Sequence, residues 1–128
     1  MGLDMYAFTV PAEWAGDTET DYRCDADRST DELYYWRKFN ALHGWMERLY
    51  REKNGREQSF NCATVRLLGA DLDRLEADAA QGKLVPTEGF FFGEQTIYPE
   101  DLESIADFIS KARTAQANGL AVFYDSWW

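Results

Sequence analysis

The chain has one histidine, two cysteines and three prolines among 128 residues, and its 13 Lys and Arg are outnumbered by 23 Asp and Glu. A single histidine removes the multi-histidine metal centres, and Cys24 and Cys62 form no C-x-x-C pair, so no metal site is expected. Two cysteines alone leave open whether they pair. No segment approaches ~18 uninterrupted apolar residues, which excludes a membrane-spanning helix. Neither G-x-x-x-x-G-K-[ST] nor G-x-S-x-G occurs, so no phosphate-cradling loop or nucleophile elbow is available. The opening residues Met1 to Tyr6 have no basic region and no apolar stretch, unlike a secretory signal. Tyr6 also stands where a myristoylation signal needs Ser or Thr. A cytosolic location is the expectation.

The formal net charge of −10 repels polyphosphate backbones and anionic membranes and favours basic partners or simple solubility. Direct binding of nucleic acid or membrane is therefore not expected. Carboxylates that occupy another protein's nucleic-acid groove are the sharper reading of the same charge. Hydrophobic residues make up 45% of the chain and aromatics 16%, ample apolar area to offset the entropy of ordering. A chain of this length is one domain, residues 1–128, able to hide roughly 65–70% of its unfolded surface.

Leu3 to Val10 reads as a strand stopped by Pro11. An acidic loop follows to residue 32, with only Arg23 and Arg28 as counter-charges. Ser29 with Glu32 fits a capping box, which predicts one helix from there to about Lys53, ended by Asn54-Gly55. At about 100° per residue, Tyr35, Phe39, Leu42, Trp45, Met46 and Leu49 share one apolar sector of that helix. Trp36, Asn40, His43 and Glu47 form a second stripe along its edge, and Arg37 and Arg48 project from the far side. A short strand at Cys62 to Leu67 and a helix from about Ala70 to Gln81 come next. Phe90-Phe91-Phe92 reads as a strand or buried loop between Gly89 and Gly93. Pro99 is suited to the first position of a further helix, ended by Asn118-Gly119. Leu120 to Tyr124 closes the list as a strand. The fold class expected is α+β: about three helices packed on a short, mainly antiparallel sheet.

Four stretches resemble one family: MGLDMY at the start, YWRKFNALHGW, PTEGFFFG, and FYDSWW at the end. It is an uncharacterised family of small phage and bacterial proteins that begin MGLDMY and carry a YWRK-x-N-x-x-H-x-W helix and a GFFFG segment. The resemblance spans nearly the whole chain. It implies a phage or mobile-element setting and no stated activity. Some members bear a phosphoglycerate-kinase name, for which this chain has neither the phosphate loop nor the length.

Two functional readings follow. In the first, the protein is a small accessory factor that binds a host protein with a basic surface; a counter-defence inhibitor acting on a nucleic-acid-binding groove is its sharpest form. Asp17, Glu19, Asp21, Asp25 and Asp27 would supply the charge, and Trp127 and Trp128 the aromatic anchors. In the second, the chain is a small enzyme or ligand binder for a nucleotide-like or other anionic phosphorylated metabolite. There His43 would act as general base, held in one tautomer by Glu47 one turn on. Trp36, Arg37, Lys38, Asn40 and Phe91 would line the pocket, with Arg37 offering a bidentate fork. A lone histidine beside an apolar face is, however, more often a hydrogen-bonded structural residue. Asp25, Asp27, Ser29 and Asp31 alternate like early calcium-loop ligands, but Thr30 and Trp36 stand where that loop needs Gly and Glu. No cofactor is expected.

Overall fold

A computed structural model describes residues 2–23, 30–84 and 97–128. β1 (Asp4–Pro11) runs into a one-turn helix, α1 (Ala12–Ala15), followed by β2 (Asp31–Arg37) and α2 (Asn40–Glu52). β3 (Val65–Leu67), α3 (Gly69–Ala80), α4 (Pro99–Ala117) and β4 (Leu120–Trp127) complete the order among the described residues. The strands form one sheet in the order β2-β1-β4-β3, antiparallel throughout. The α+β class and the antiparallel sheet are as expected; α1 and a separate β2 are additional.

The single helix expected from Ser29 to Lys53 is instead a strand and a helix. Tyr34, Tyr35 and Trp36 are β-formers that pair with β1, Trp36 opposite Met5 and Tyr35 opposite Tyr6. Lys38 then takes a left-handed φ of 57°, and its amide donates to the Leu3 carbonyl at 2.8 Å. That turn separates the strand from α2, which starts at Asn40. Glu32 therefore lies opposite Phe8 on β2 and caps no helix.

The helix ends expected further on are present, with their causes visible. Asp71 accepts from the Leu68 amide at 2.8 Å to start α3, and Asp101 accepts from the Tyr98 amide at 2.8 Å to start α4. Pro99 occupies the first turn of α4, and Gly119 ends it with a φ of 81°. α2 ends at Glu52, and Asn54 (φ 65°) turns the chain so that Gly55 passes across the ring of Tyr50. A Cβ at Gly55 would lie 2.2 Å from that ring, so only glycine fits.

Period-two alternation divides the strands between two faces. Leu3, Met5, Ala7, Val65, Leu67, Val122 and Tyr124 join the main core beneath α2, α3 and α4. Val10, Ala121 and Phe123 face the other way, into a smaller cluster closed by Ala15, with Phe8, Trp14 and Tyr22 packed against it. Arg113 holds α4 to α3 through Asp73 (2.8 Å) and Glu76 (3.0 Å). Lys53, at the end of α2, is nearly buried and meets Asp71 at 2.6 Å, Glu19 at 2.9 Å and the Arg66 carbonyl at 2.8 Å.

Candidate binding surface

The stripe Trp36, Asn40, His43 and Glu47 does not survive as a stripe, because its first member is on a strand. Trp36 is buried edge-on to Phe108 (5.0 Å between centroids), and its indole N–H donates to Ser104 Oγ at 3.1 Å. It walls the core. Asn40 is buried in the first turn of α2. His43 is buried against Phe60, with ring centroids 5.1 Å apart, and its Nδ1 lies 2.7 Å from the Tyr124 hydroxyl on the central strand β4.

Burial lowers the His43 pKa from 6.5 to about 4, so the ring is neutral near pH 7. The Tyr124 phenol moves the other way, raised by burial and by the charges of Asp125 and Glu47, against a lowering influence of Ser126. Glu47 is half-buried and lies 3.7 Å from Arg51. His43 and Tyr124 thus form a hydrogen-bonded polar pair inside the core, with the uncharged form of each favoured, and the buried Ser126 lies on the same strand as Tyr124.

Two surface grooves of about 290 Å³ each lie elsewhere. One is lined by Trp45, Arg48, Arg74 and Lys83, the other by Ala79, Ile105 and Ile109. Neither is lined by His43. Among the described residues no cluster of three or more His, Cys, Asp or Glu could hold a metal ion, and no helix is long and apolar enough to cross a membrane.

Arg37 ends β2 in the open, 3.8 Å from Asp4, and Lys38 is exposed beside it. Both lie outside the His43–Tyr124 pair. Of the loop acids, Asp17 is exposed. Glu19 instead pairs with Lys53, while Asp21 accepts from the Tyr50 hydroxyl at 2.5 Å and the Arg56 amide at 3.0 Å. Those two carboxylates bind their own chain. Asp25, Asp27 and Phe91, with Cys24 and the Phe90–Phe92 segment, lie outside the described residues; Cys62 is an exposed free thiol.

The two closing tryptophans differ. Trp128 is held on residues 60–61: its amide donates to Asn61 Oδ1, its indole N–H to the Phe60 carbonyl (both 2.9 Å), and its carbonyl accepts from Asn61 Nδ2 at 2.8 Å. Trp127 is 64% exposed.

Trp127 belongs to a surface that the sequence reading assembled only in part. It lies opposite Asp4, which lies opposite Arg37; one step on, Asp125, Tyr6 and Tyr35 are aligned across β4, β1 and β2. Tyr6 and Tyr35 pack at 5.3 Å, and the Tyr35 hydroxyl donates to Asp4 at 2.6 Å. Burial raises the Asp125 pKa, opposed by the Ser126 amide. On the same face, Ala15 and Trp14 of α1, with Tyr22, pack over the neighbouring Phe8 and Phe123. What would have exposed the surface is the alternation of β4 carried three residues past Tyr124, which puts Asp125 and Trp127 on one face. Parts of three of the four stretches singled out in the sequence meet here: β1 brings Asp4 and Tyr6, β2 Tyr35 and Arg37, and β4 Asp125 and Trp127.

No family model, no curated protein and no solved structure matches the chain.

Proposed function

We propose that this protein works by binding another protein, through the open half-face of its sheet, and that the partner presents a basic surface. The observation that carries the reading is the exposure of Trp127 (64%) and Tyr35 (43%) on one face with Asp4, Glu32 and Asp125 between and beside them. Exposed aromatics set among charges are the composition of an interface centre. The chain's net charge of −10 would steer it to a cationic groove and raise the encounter rate. In the phage or mobile-element setting that the sequence resemblance implies, that partner is a host protein, and a counter-defence inhibitor of a nucleic-acid-binding surface is the specific form. The burial of His43, its neutral state and its bond to Tyr124 favour this over a reaction centred on the histidine.

The test compares complexes recovered from the native host by quantitative mass spectrometry. The wild-type chain is set against Tyr35→Ser/Trp127→Ser, with Glu103→Lys on exposed α4 as the control. A stoichiometric partner kept by wild type and control, lost by the double variant and released by added salt, supports the reading. Retention of that partner by the double variant, or indifference to salt, overturns it.

A further inference from the structure

The two edges of the sheet are finished differently. Outside β3, the segment at Glu19 to Asp21 acts as a short flanking strand. Thr20 bridges to Val65, the Arg66 amide donates to the Glu19 carbonyl at 2.8 Å, and the Asp21 amide donates to the Thr64 carbonyl at 2.9 Å. β2 forms the other edge, and among the described residues nothing pairs with its outer side. Edge strands invite pairing unless a proline, a buried charge or a covering element blunts them. β2 has no proline, and its charged residues are exposed at its two ends.

Those charges are sorted along the strand. Asp31 and Glu32 stand at its start, Arg37 and Lys38 at its finish and just beyond. Asp31, Glu32 and Lys38 have no ion pair among the described residues, and Arg37 reaches only Asp4 at 3.8 Å. Opposed to its own copy, such a strand matches in one direction only. A parallel pair sets like charges side by side, whereas an antiparallel pair lays the acidic end of each strand along the basic end of the other. The faces agree as well. Glu32 lies opposite Phe8 and Arg37 opposite Asp4, so both project on the open face of the sheet, the bulge at Ala7/Phe8 included.

We propose that two copies of this chain associate through β2, antiparallel about a two-fold axis near Tyr34, extending the sheet across both molecules. This stands on the edge and its charges, independently of the partner proposed for the open face. An isologous contact consumes the edge it uses, and the β3 edge is already covered, so growth stops at two. Seven paired residues are a small contact beside the ~1,600 Å² of a standard interface. The association is therefore reversible, and it weakens with dilution and with salt.

Sedimentation velocity over a concentration series at low ionic strength tests this. The wild-type mass should climb from 14.8 kDa toward twice that value. Asp31→Lys/Glu32→Lys and Arg37→Glu/Lys38→Asp should each stay monomeric, the aspartate being chosen because it tolerates the left-handed backbone at position 38. Mixed in equal amounts, the two variants present acid-to-base matches at both ends and should form a heterodimer. Near-UV circular dichroism checks that each variant is folded. If either is not, amide exchange on the wild-type chain decides, with concentration-dependent slowing confined to β2 as the expected result. A wild-type chain that stays monomeric throughout, variants that associate as wild type does, a mixture that does not regain the dimer, or β2 amides indifferent to concentration would each overturn the proposal.

Discussion

The two faces of this sheet reverse the usual assignment of polar and aromatic residues. Beneath the helices, the sealed face holds His43 and Tyr124 as a hydrogen-bonded pair among apolar side chains. On the other face, Tyr35 and Trp127 stand in solvent beside carboxylates. A histidine draws attention as chemistry and a tryptophan as core, yet here the histidine is packed and the tryptophan displayed. The difference lies in what each face must satisfy. A buried polar group needs a partner and then becomes part of the architecture. An exposed aromatic leaves apolar area in water until something covers it.

The contrast can be broken hardest from the helical side. Phe108→Ala removes the ring against which Trp36 packs and should cost about 3–5 kcal/mol of unfolding free energy, read by urea denaturation. Gly55→Ala drives a methyl into the Tyr50 ring and should cost about 1–3 kcal/mol while disturbing the bond from Tyr50 to Asp21. An unchanged denaturation midpoint in either case would contradict the packing described.

Acid should act through the sealed face. The folded pKa of His43 is depressed to about 4 from 6.5, so between those values the unfolded chain binds a proton that the folded chain refuses. The stabilising contribution is complete above pH 6.5 and disappears as pH falls to about 4, a drop of about 3 kcal/mol. His43→Gln should flatten that limb of the pH–stability curve, and an unaltered limb would place the titration elsewhere. Asp125, on the opposite face, is shifted the other way: its raised pKa favours the protonated form in the fold, so its ionisation weakens the fold as pH rises through that value. Asp125→Asn should accordingly stabilise the protein at neutral pH.

The smallest effect belongs to the open face. Tyr35→Ser and Trp127→Ser should each change stability by only about 0.5 kcal/mol. Trp127→Ser should nevertheless remove the indole fluorescence most accessible to iodide, since Trp36 and Trp45 are buried. A large loss of stability from either substitution would mean that the face is structural.

How much of this was legible in the sequence depends on whether the signals were local. α3 and α4 were readable nearly to the residue, because Pro99, Asn118-Gly119 and the 3.6-residue apolar spacing act within a few positions. Asn40 to Glu52 is helical as expected, but Asp31 to Arg37 is a strand, because the helical spacing of Phe39, Leu42 and Met46 continues backwards over aromatics that suit a strand equally well. The break is the left-handed turn at Lys38, where neither glycine nor asparagine marks the site. The His43–Tyr124 contact joins residues 81 positions apart, which no local pattern encodes. Trp127 was picked out as a binding anchor, but Asp4, Tyr6, Tyr35 and Asp125, the residues around it, emerge only from strand register.

The sheet's connectivity also governs how the chain reaches its fold. β4 separates β1 from β3, so the first strand made has one of its two neighbours supplied last. During vectorial synthesis β1 can pair with β2 early, but its other edge stays open until residue 127 has been made. Contacts this distant in sequence slow folding and prolong the life of partly built sheets. For that interval two strand edges of the described sheet stand open, and the chain's net charge of −10 opposes clumping through self-repulsion.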